Sequence, residues 1–421
     1  MTTAAQLKPS KMLFLTPQLP YPPNSGGVIK SYHLVAHIAK HWSVTLACLI
    51  KGDDDTTMLK RHMPNLAIVS APINIARTPI NFLLSCIKGV PLTIFRNHHQ
   101  RFKAQVAQLI DEHDIVVVDH YLMYQYIPKN YQGRVVLHQH NAEFMIWQRM
   151  AEQTVNVIKR KLLTFEAKRI AAYEATICQQ ADAILAAPND QQALLGLSEA
   201  SADLAAKFYP TYHLGDESNL YLPPLTYSNS EEKLLFVGTL SWQANLDGLL
   251  WFIKHVWPQI KLKRPKASFT IVGGHSEAIG RQILALDSQI KLAGFVKDLE
   301  PYFQTHRVFV APLNFGSGIK VKVVSAMYRG MPLVTTSVGA EGLDVEHGQH
   351  LLIGDTPESF AQQVLTLLNT PVAWRRLAQQ SRQLMASKYT WQVVYKHFDM
   401  AVTGSKAVTL ENDSVTTMAV D

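Results

Sequence analysis

Short apolar runs alternate with stretches whose apolar residues recur at helical spacing along almost the whole chain. A short apolar run bounded by turn residues reads as a strand buried on both faces, so the alternation predicts α/β layers with mostly parallel sheets. "KMLFLT" (Lys11–Thr16) is the first predicted strand. A loop with Pro22, Pro23, Gly26 and Gly27 follows, then a helix over "VIKSYHLVAHIAKHW" and the strand "SVTLACLI". Further strands are expected at "DIVVVD" (114–119), "RVVLHQH" (134–140) and "AILAAP" (183–188). The pattern lapses between about 207 and 232, where "LPPLTYSNSEE" reads as a linker. It resumes at "KLLFVGTL" (233–240) and runs through "ASFTIVGG", "IKLAGFV", "RVFVAPL", "MPLVTTS" and "HLLIG", after which only helices are expected, to about 402.

This pattern divides the chain into a first unit over 1–215 and a second over 216–385. A closing helix over 386–402 is expected to pack back toward the first unit, and 403–421 reads as a disordered polar tail. The two units begin alike, as "KMLFLTPQLP" and "EKLLFVGTLS", each a strand, a turn and a helix, with too little identity to argue duplication. Two doubly wound units leave a cleft at the carboxyl ends of their strands, where open α/β sheets bind ligands.

Composition narrows the class. Of 421 residues, 47% are hydrophobic and 17% charged, as in an ordinary globular protein. The formal charge of +7 suits a phosphorylated partner or an anionic lipid surface. Lys and Arg are spread along the chain and no aromatic-basic motif stands out, so nucleic acid is not indicated. Cys48, Cys86 and Cys178 lie far apart and read as buried thiols of a reducing compartment. The first residues lack a signal peptide's apolar core, and no apolar run reaches the ~18 residues of a membrane span. The expectation is a cytoplasmic protein.

Five stretches could carry chemistry. In "PLNFGSGIKVKVV", Gly316-Ser317-Gly318 turns a strand into a helix, and Lys320 and Lys322 follow. Free N–H groups and the dipole at a helix start favour an anion, and glycine lets a phosphate approach. Gly26 and Gly27 form a second such turn. The full dinucleotide fingerprint and its acidic ribose ligand are missing, which argues against a nicotinamide dehydrogenase. In "VVLHQHNAEFMIWQR", His138 and His140 share one face of a strand, without the further ligands a metal would need. His140, Asn141 and Glu143 read as hydrogen-bonding or acid–base groups, or Asn141 as the cap of the next helix. "GDDDTTM" (52–58) reads as a solvated charge run rather than an Asp-x-Asp ion site. Finally, "VNVIKRKLLTFEAKRIAAYEATI" (155–177) and "RTPINFLLSCIKGVPLTIFRNHHQRFK" mix apolar and basic residues. They suit either domain helices with a wet basic face or a surface lying on an anionic membrane.

Together "LFLTPQLPYPPNSGG", "LHQHNAEF", "LLFVGTLSWQANLDGLLWFIKHVWPQI", "FTIVGG", "GFVKDLEPYF" and "FGSGIKVKVVSAMYRGMPLVTTSVGAEGL" resemble the group 1 (family 4) glycosyltransferases of the GT-B fold. The likeness is to bacterial sugar transferases of polysaccharide-assembly clusters. It implies two facing Rossmann-like domains and transfer with retention of configuration, without metal or cofactor. The donor would be a UDP- or GDP-sugar held by the second domain. The acceptor, a glycan or a lipid-linked glycan, would lie on the first, at the inner membrane face. By the same resemblance His140 lies near the reacting sugar, and Gly26, Gly27, Gly316, Ser317, Gly318 and Lys320 hold the diphosphate; with the acid–base reading of its loop, His140 and Glu143 are the expected catalytic residues. Gly294 and Val296 match positions that meet the base and Glu341 the turn beyond the next strand; with Gly238, in a loop that follows a strand, and Ser325 they make up the expected nucleotide site. Ser317 and Ser325 stand where the family has two glutamates, the second a ribose ligand, and Gln243, Ala244 and Asn245 stand where it has a basic residue. A silent GT-B partner subunit and a sugar-nucleotide epimerase are the alternative readings.

Overall fold

The computed structural model describes residues 11–23, 26–52, 54–73, 75–76, 78–198, 201–212, 214–316 and 318–404. Ser317 and the tail 405–421 lie outside the described residues. The first seven strands are β1 (Lys11–Thr16), β2 (Ser43–Ile50), β3 (Ala67–Pro72), β4 (Ile115–Asp119), β5 (Arg134–His138), β6 (Ala183–Ala186) and β7 (Phe208–Pro210). They form one sheet in the order β3-β2-β1-β4-β5-β6-β7. The next six are β8 (Glu231–Val237), β9 (Ser268–Val272), β10 (Lys291–Gly294), β11 (His306–Ala311), β12 (Leu333–Thr335) and β13 (Leu352–Ile353). They form a second sheet, β10-β9-β8-β11-β12-β13. Every strand pair in both sheets is parallel.

Parallel strands need crossover helices on the sheet faces, which explains the near-unbroken apolar strands. Val116, Val117 and Val118 of β4 and Leu13, Phe14 and Leu15 of β1 are all fully buried. Each sheet winds outward in both directions from a central pair, β1 with β4 and β8 with β11. Crossovers leave such a pair in opposite directions and open a crevice at the strands' carboxyl ends. That crevice is where both candidate glycine turns lie.

Two stretches differ from expectation. β3 and β7 are edge strands that the sequence pattern did not reveal, and β7 falls in a stretch read as linker. The linker proper begins beyond it and contains two short 3-10 turns, Glu217–Tyr221 and Tyr227–Asn229. The Asp run is a cap: Asp55 accepts from Thr57 N at 2.8 Å and starts the helix Thr56–His62.

One apolar cluster is continuous between the sheets through Tyr212, Leu214, Tyr328, Tyr389 and Trp391. The last helix, Trp391–Thr403, crosses back to the first lobe. His33 stacks on Trp391 at 4.0 Å, His37 bonds Asp399 at 2.9 Å, and Arg134 Nε donates to Ala401 O at 2.9 Å. These contacts fasten the second lobe's end to the first lobe's sheet.

Candidate active site

The first lobe contributes a carboxylate that fixes two imidazoles. Asp119 ends β4 beside the start of the helix Gly26–Ile38 and is fully buried. Its Oδ2 accepts the Ser31 hydroxyl at 2.5 Å, and its Oδ1 accepts His138 Nδ1 and His140 Nε2, both at 2.7 Å. Holding the His140 proton on Nε2 turns Nδ1 toward Gly27, where a Cβ would stand 3.1 Å from it. The absence of a side chain at Gly27 is what lets the ring sit there. Gly26 opens that helix.

Burial alone would raise the Asp119 pKa, but His140 and His138 outweigh it and hold the carboxyl well below its usual range. Burial pushes His138 down to about 3, with Lys30 adding to the shift. His120 is likewise pushed down to about 3 by burial, with its ring 5.2 Å from that of His140. His120 also has a φ of 84°, a conformation rare outside glycine and one that gathers at functional sites. Lys30 is fully buried, and burial lowers it to about 7 against the pull of Asp119 and Asp190.

The loop carrying His140 is tied at its base. Glu174, itself buried, accepts from Gln139 Nε2 at 3.1 Å and from the N–H groups of Glu143 and Phe144 at 3.0 and 2.9 Å. Burial raises Glu174 to about 8, although those two N–H groups oppose the shift. Asp190 accepts from Ala142 N at 2.9 Å. The N–H groups at the start of the helix Glu143–Glu152 are therefore met by a distant carboxylate, and Asn141 is not its cap. Asn141 points at the other lobe, where a Cβ on Gly318 would lie 2.5 Å from its Oδ1. Glu143 accepts from Trp147 Nε1 at 3.2 Å, one turn along its own helix.

The second lobe contributes cations. Gly316 and Gly318 have φ of 134° and 67°, which only glycine adopts without strain, and they lead into the helix Val321–Arg329. Lys320 Nζ donates to Gly318 O and lies 3.8 Å from Glu341. Lys322 Nζ donates to Asn245 Oδ1 at 2.5 Å and sits over the Phe236 ring at 4.6 Å. A Cβ on Gly238 would stand 2.6 Å from that ammonium. Burial lowers Lys322 to about 7, with Lys320 adding, and lowers Lys320 to about 8 against the pull of Glu341. No basic residue follows β8, so Asn245 draws one in from Lys322. Gly238, Gly273 and Gly294 line the ends of β8, β9 and β10, joined by Gly238 N to Val272 O and Gly273 N to Gly294 O at 2.8 and 2.7 Å. Val296, two residues on, is half-buried against the shared core.

One side chain spans the cleft. Arg149 of the first lobe forks onto Glu341 at 2.7 and 2.9 Å and donates to Gly316 O. Arg149 and Lys320 hold Glu341 below the usual carboxylate range, against the effect of its burial. The structure thus brings Gly316, Gly318, Lys320 and Glu341 together and sets them opposite Asn141 and Asp190. Ser325 lies further along the helix Val321–Arg329, whose N-cap is Lys320. A Cβ on Gly215 would meet Ser325 Oγ at 2.8 Å, so the interlobe crossing runs directly over that serine.

Residues 231–370 match the family model described as "Glycosyl transferases group 1". The matched residues run from β8 to just past the helix Pro357–Asn369, within the second lobe. The chain as a whole has the GT-B fold. It is similar to Anabaena Alr3699/HepE, solved in complex with UDP and glucose, with a TM-score of 0.62 and 14% identity over 94% of this chain and 100% of that one. It is similar also to a glycosyltransferase from Rickettsia africae, with a TM-score of 0.62 and 11% identity over 93% of this chain and 98% of that one. An uncharacterized 44.6 kDa protein in the cps region of Klebsiella pneumoniae is 21% identical over 92% of this chain and 98% of its own length.

Several site residues escaped the sequence reading of the two lobes. Asp119 and His120 follow an obvious strand in "DIVVVDH", and a charged residue at the carboxyl end of a central strand was a usable signal. Arg149, Glu174 and Asp190 gave none, because their partners lie far away in sequence.

Proposed function

We propose that the chain transfers a sugar, with retention of configuration, from a UDP- or GDP-sugar to a glycan or lipid-linked acceptor in cell-surface polysaccharide assembly. The observation that carries this reading is the convergence of Lys320, Lys322 and Arg149 on the glycine turn and Gly238, at the mouth between the two sheets' carboxyl ends. Preplaced cations and N–H groups are what a departing nucleoside diphosphate needs, since they stabilise charge as it develops. In this proposal these cations supply the charge a metal would bring, and the reaction needs neither a metal nor a cofactor. On donor binding the Arg149 guanidinium moves from Glu341 to the diphosphate, and Glu341 turns to the nucleotide. His140, held in one tautomer by Asp119, faces the sugar across Gly27 and orients it for an acceptor bound on the first lobe.

Thermal unfolding in the presence of UDP, GDP and their glucose and mannose conjugates tests this reading. A ligand that binds only the folded chain raises the melting temperature. At least one nucleotide should do so, with its sugar conjugate consumed when a glycan acceptor extract is added. No shift with any of them at millimolar concentration would refute the assignment. Ser325 favours a second reading, a silent GT-B partner subunit, because a short hydroxyl pressed under Gly215 is no substitute for a ribose-binding carboxylate. Nucleotide binding without turnover of any conjugate would select it.

A further inference from the structure

Two helices of the first lobe leave more hydrocarbon in water than an ordinary wet face does. The helix Pro79–Ile87 leaves Ile80 70%, Leu83 61% and Ile87 73% exposed. At the start of Val157–Gln180, Ile158 is 74% exposed, and Val155 just before it is 93% exposed. The two elements touch: Phe82 meets Phe165 edge-on at 6.4 Å, and Arg169 Nη2 donates to Ser85 O at 2.9 Å. These side chains therefore form one ridge. Scattered exposed apolar residues need no explanation, but a contiguous patch marks an interaction site.

The charge around the ridge identifies its partner. Residues 78–99, which hold the first of these helices and the short helix Leu92–Arg96 packed on it, contain no Asp or Glu and carry Lys88 and Arg96. Residues 153–165 again contain no acid and carry Lys159, Arg160 and Lys161, all exposed. Of the nearest acids along the second helix, Glu166 is buried and spent on Arg169 and Leu92 N. Among the described residues no helix is long and apolar enough to cross a membrane. Bare aliphatic side chains rimmed by cations match the boundary of an anionic bilayer, where the apolar part enters at headgroup depth and the cations meet lipid phosphates.

We propose that this ridge seats the first lobe on an anionic membrane surface, with Ile80, Ile87 and Ile158 at headgroup depth and Lys159, Arg160 and Lys161 on the lipid phosphates. The helix Glu143–Glu152, whose Arg149 spans the cleft, runs directly into Val155 at the ridge. A lipid-linked acceptor held in the bilayer is thereby delivered to the open side of the first lobe. In this respect the inference deepens the proposed transfer and rests on it. The surface itself is argued from exposure and charge alone.

Co-sedimentation of the full-length protein with vesicles provides the test. Vesicles of phosphatidylcholine mixed with phosphatidylglycerol should bind it at least about tenfold more tightly than phosphatidylcholine alone, and added salt should weaken the binding. The triple variant Ile80→Ser, Ile87→Ser, Ile158→Ser and the triple variant Lys159→Gln, Arg160→Gln, Lys161→Gln should each lose about tenfold or more on mixed vesicles. Both should keep the wild-type melting temperature and nucleotide affinity. Absence of binding to mixed vesicles, or binding that neither variant weakens, would overturn the proposal. So would a wild-type dimer that the isoleucine variant dissociates, since the ridge would then belong to a second copy. Vesicle binding without nucleotide binding would refute the transfer reading and leave the surface standing, and the reverse result would refute the surface alone.

Discussion

The two switch points of this molecule share a topology and differ in chemistry. After β1 and β4 stands a closed group, Ser31, Asp119, His138 and His140, whose buried charge is met from within by hydrogen bonds of 2.5–2.7 Å. After β8 and β11 stand Lys320 and Lys322, whose burial lowers them to about 8 and about 7 and whose present partners are mainly carbonyl and amide oxygens. The first arrangement is preorganised: every group holds another in one tautomer and one rotamer. The second is poised: two half-buried ammonium groups would gain from an anion. One fold, used twice, thus offers the proposed reaction an orienting floor in one lobe and an electrostatic clamp in the other, through the few residues beyond its central strands.

The largest effect should come from breaking the orienting floor. Asp119→Asn replaces the shared carboxylate with an amide that cannot accept from both histidines as strongly. Turnover should fall on the order of 10²-fold or more, the range typical of a lost acid–base arrangement, while nucleotide affinity stays within about twofold. A direct comparison of kcat with the nucleotide Kd checks this. A fall in affinity equal to the fall in turnover would place Asp119 in the clamp instead.

A smaller effect sharpens the contrast at the cleft. Arg149→Ala removes the one described cation that reaches the glycine turn from the opposite lobe. Charge-assisted hydrogen bonds contribute about 1.5–3 kcal/mol, so nucleotide affinity should fall about tenfold or more. Stability should change little, by about 1 kcal/mol or less, because the Arg149–Glu341 pair is partly exposed and water already screens it. Titration calorimetry and chemical unfolding of the same variant separate the two. Unchanged affinity with a large loss of stability would make Arg149 only a strut.

Much of the fold was legible because buried parallel strands announce themselves. "VVV" in β4 and "LFL" in β1 are fully buried, and the strand expectations at Lys11–Thr16 and Ser43–Ile50 coincide with β1 and β2. β7, with Tyr209 and Pro210, lacked that signature because an edge strand needs neither apolar continuity nor every N–H. The glycine turns were legible as well, since positive φ and close approach demand glycine. The Asp119 network was half visible, in its histidines only. Arg149 and Glu341 are separated by 192 residues, and no local pattern encodes a contact made by two lobes closing on each other. The resemblance put Ser325 at the ribose position, and the close approach of Gly215, where a Cβ would stand 2.8 Å from Ser325 Oγ, was not legible because it joins distant parts of the chain.

Titration of UDP and GDP into wild-type protein and Lys322→Ala, at about pH 7 and about pH 9, tests the clamp most directly. The Lys322 and Lys320 pKa values lie at about 7 and about 8, lowered by burial, so the charged forms an anion prefers persist below those values and are lost as pH rises through them. Wild-type affinity should therefore weaken several-fold between the two pH values, by linkage to these lysines. Lys322→Ala should bind at least about tenfold more weakly at the lower pH and respond less to the change. Equal affinity of the two proteins, with no dependence on pH, would contradict a diphosphate held between Lys320, Lys322 and the glycine turn.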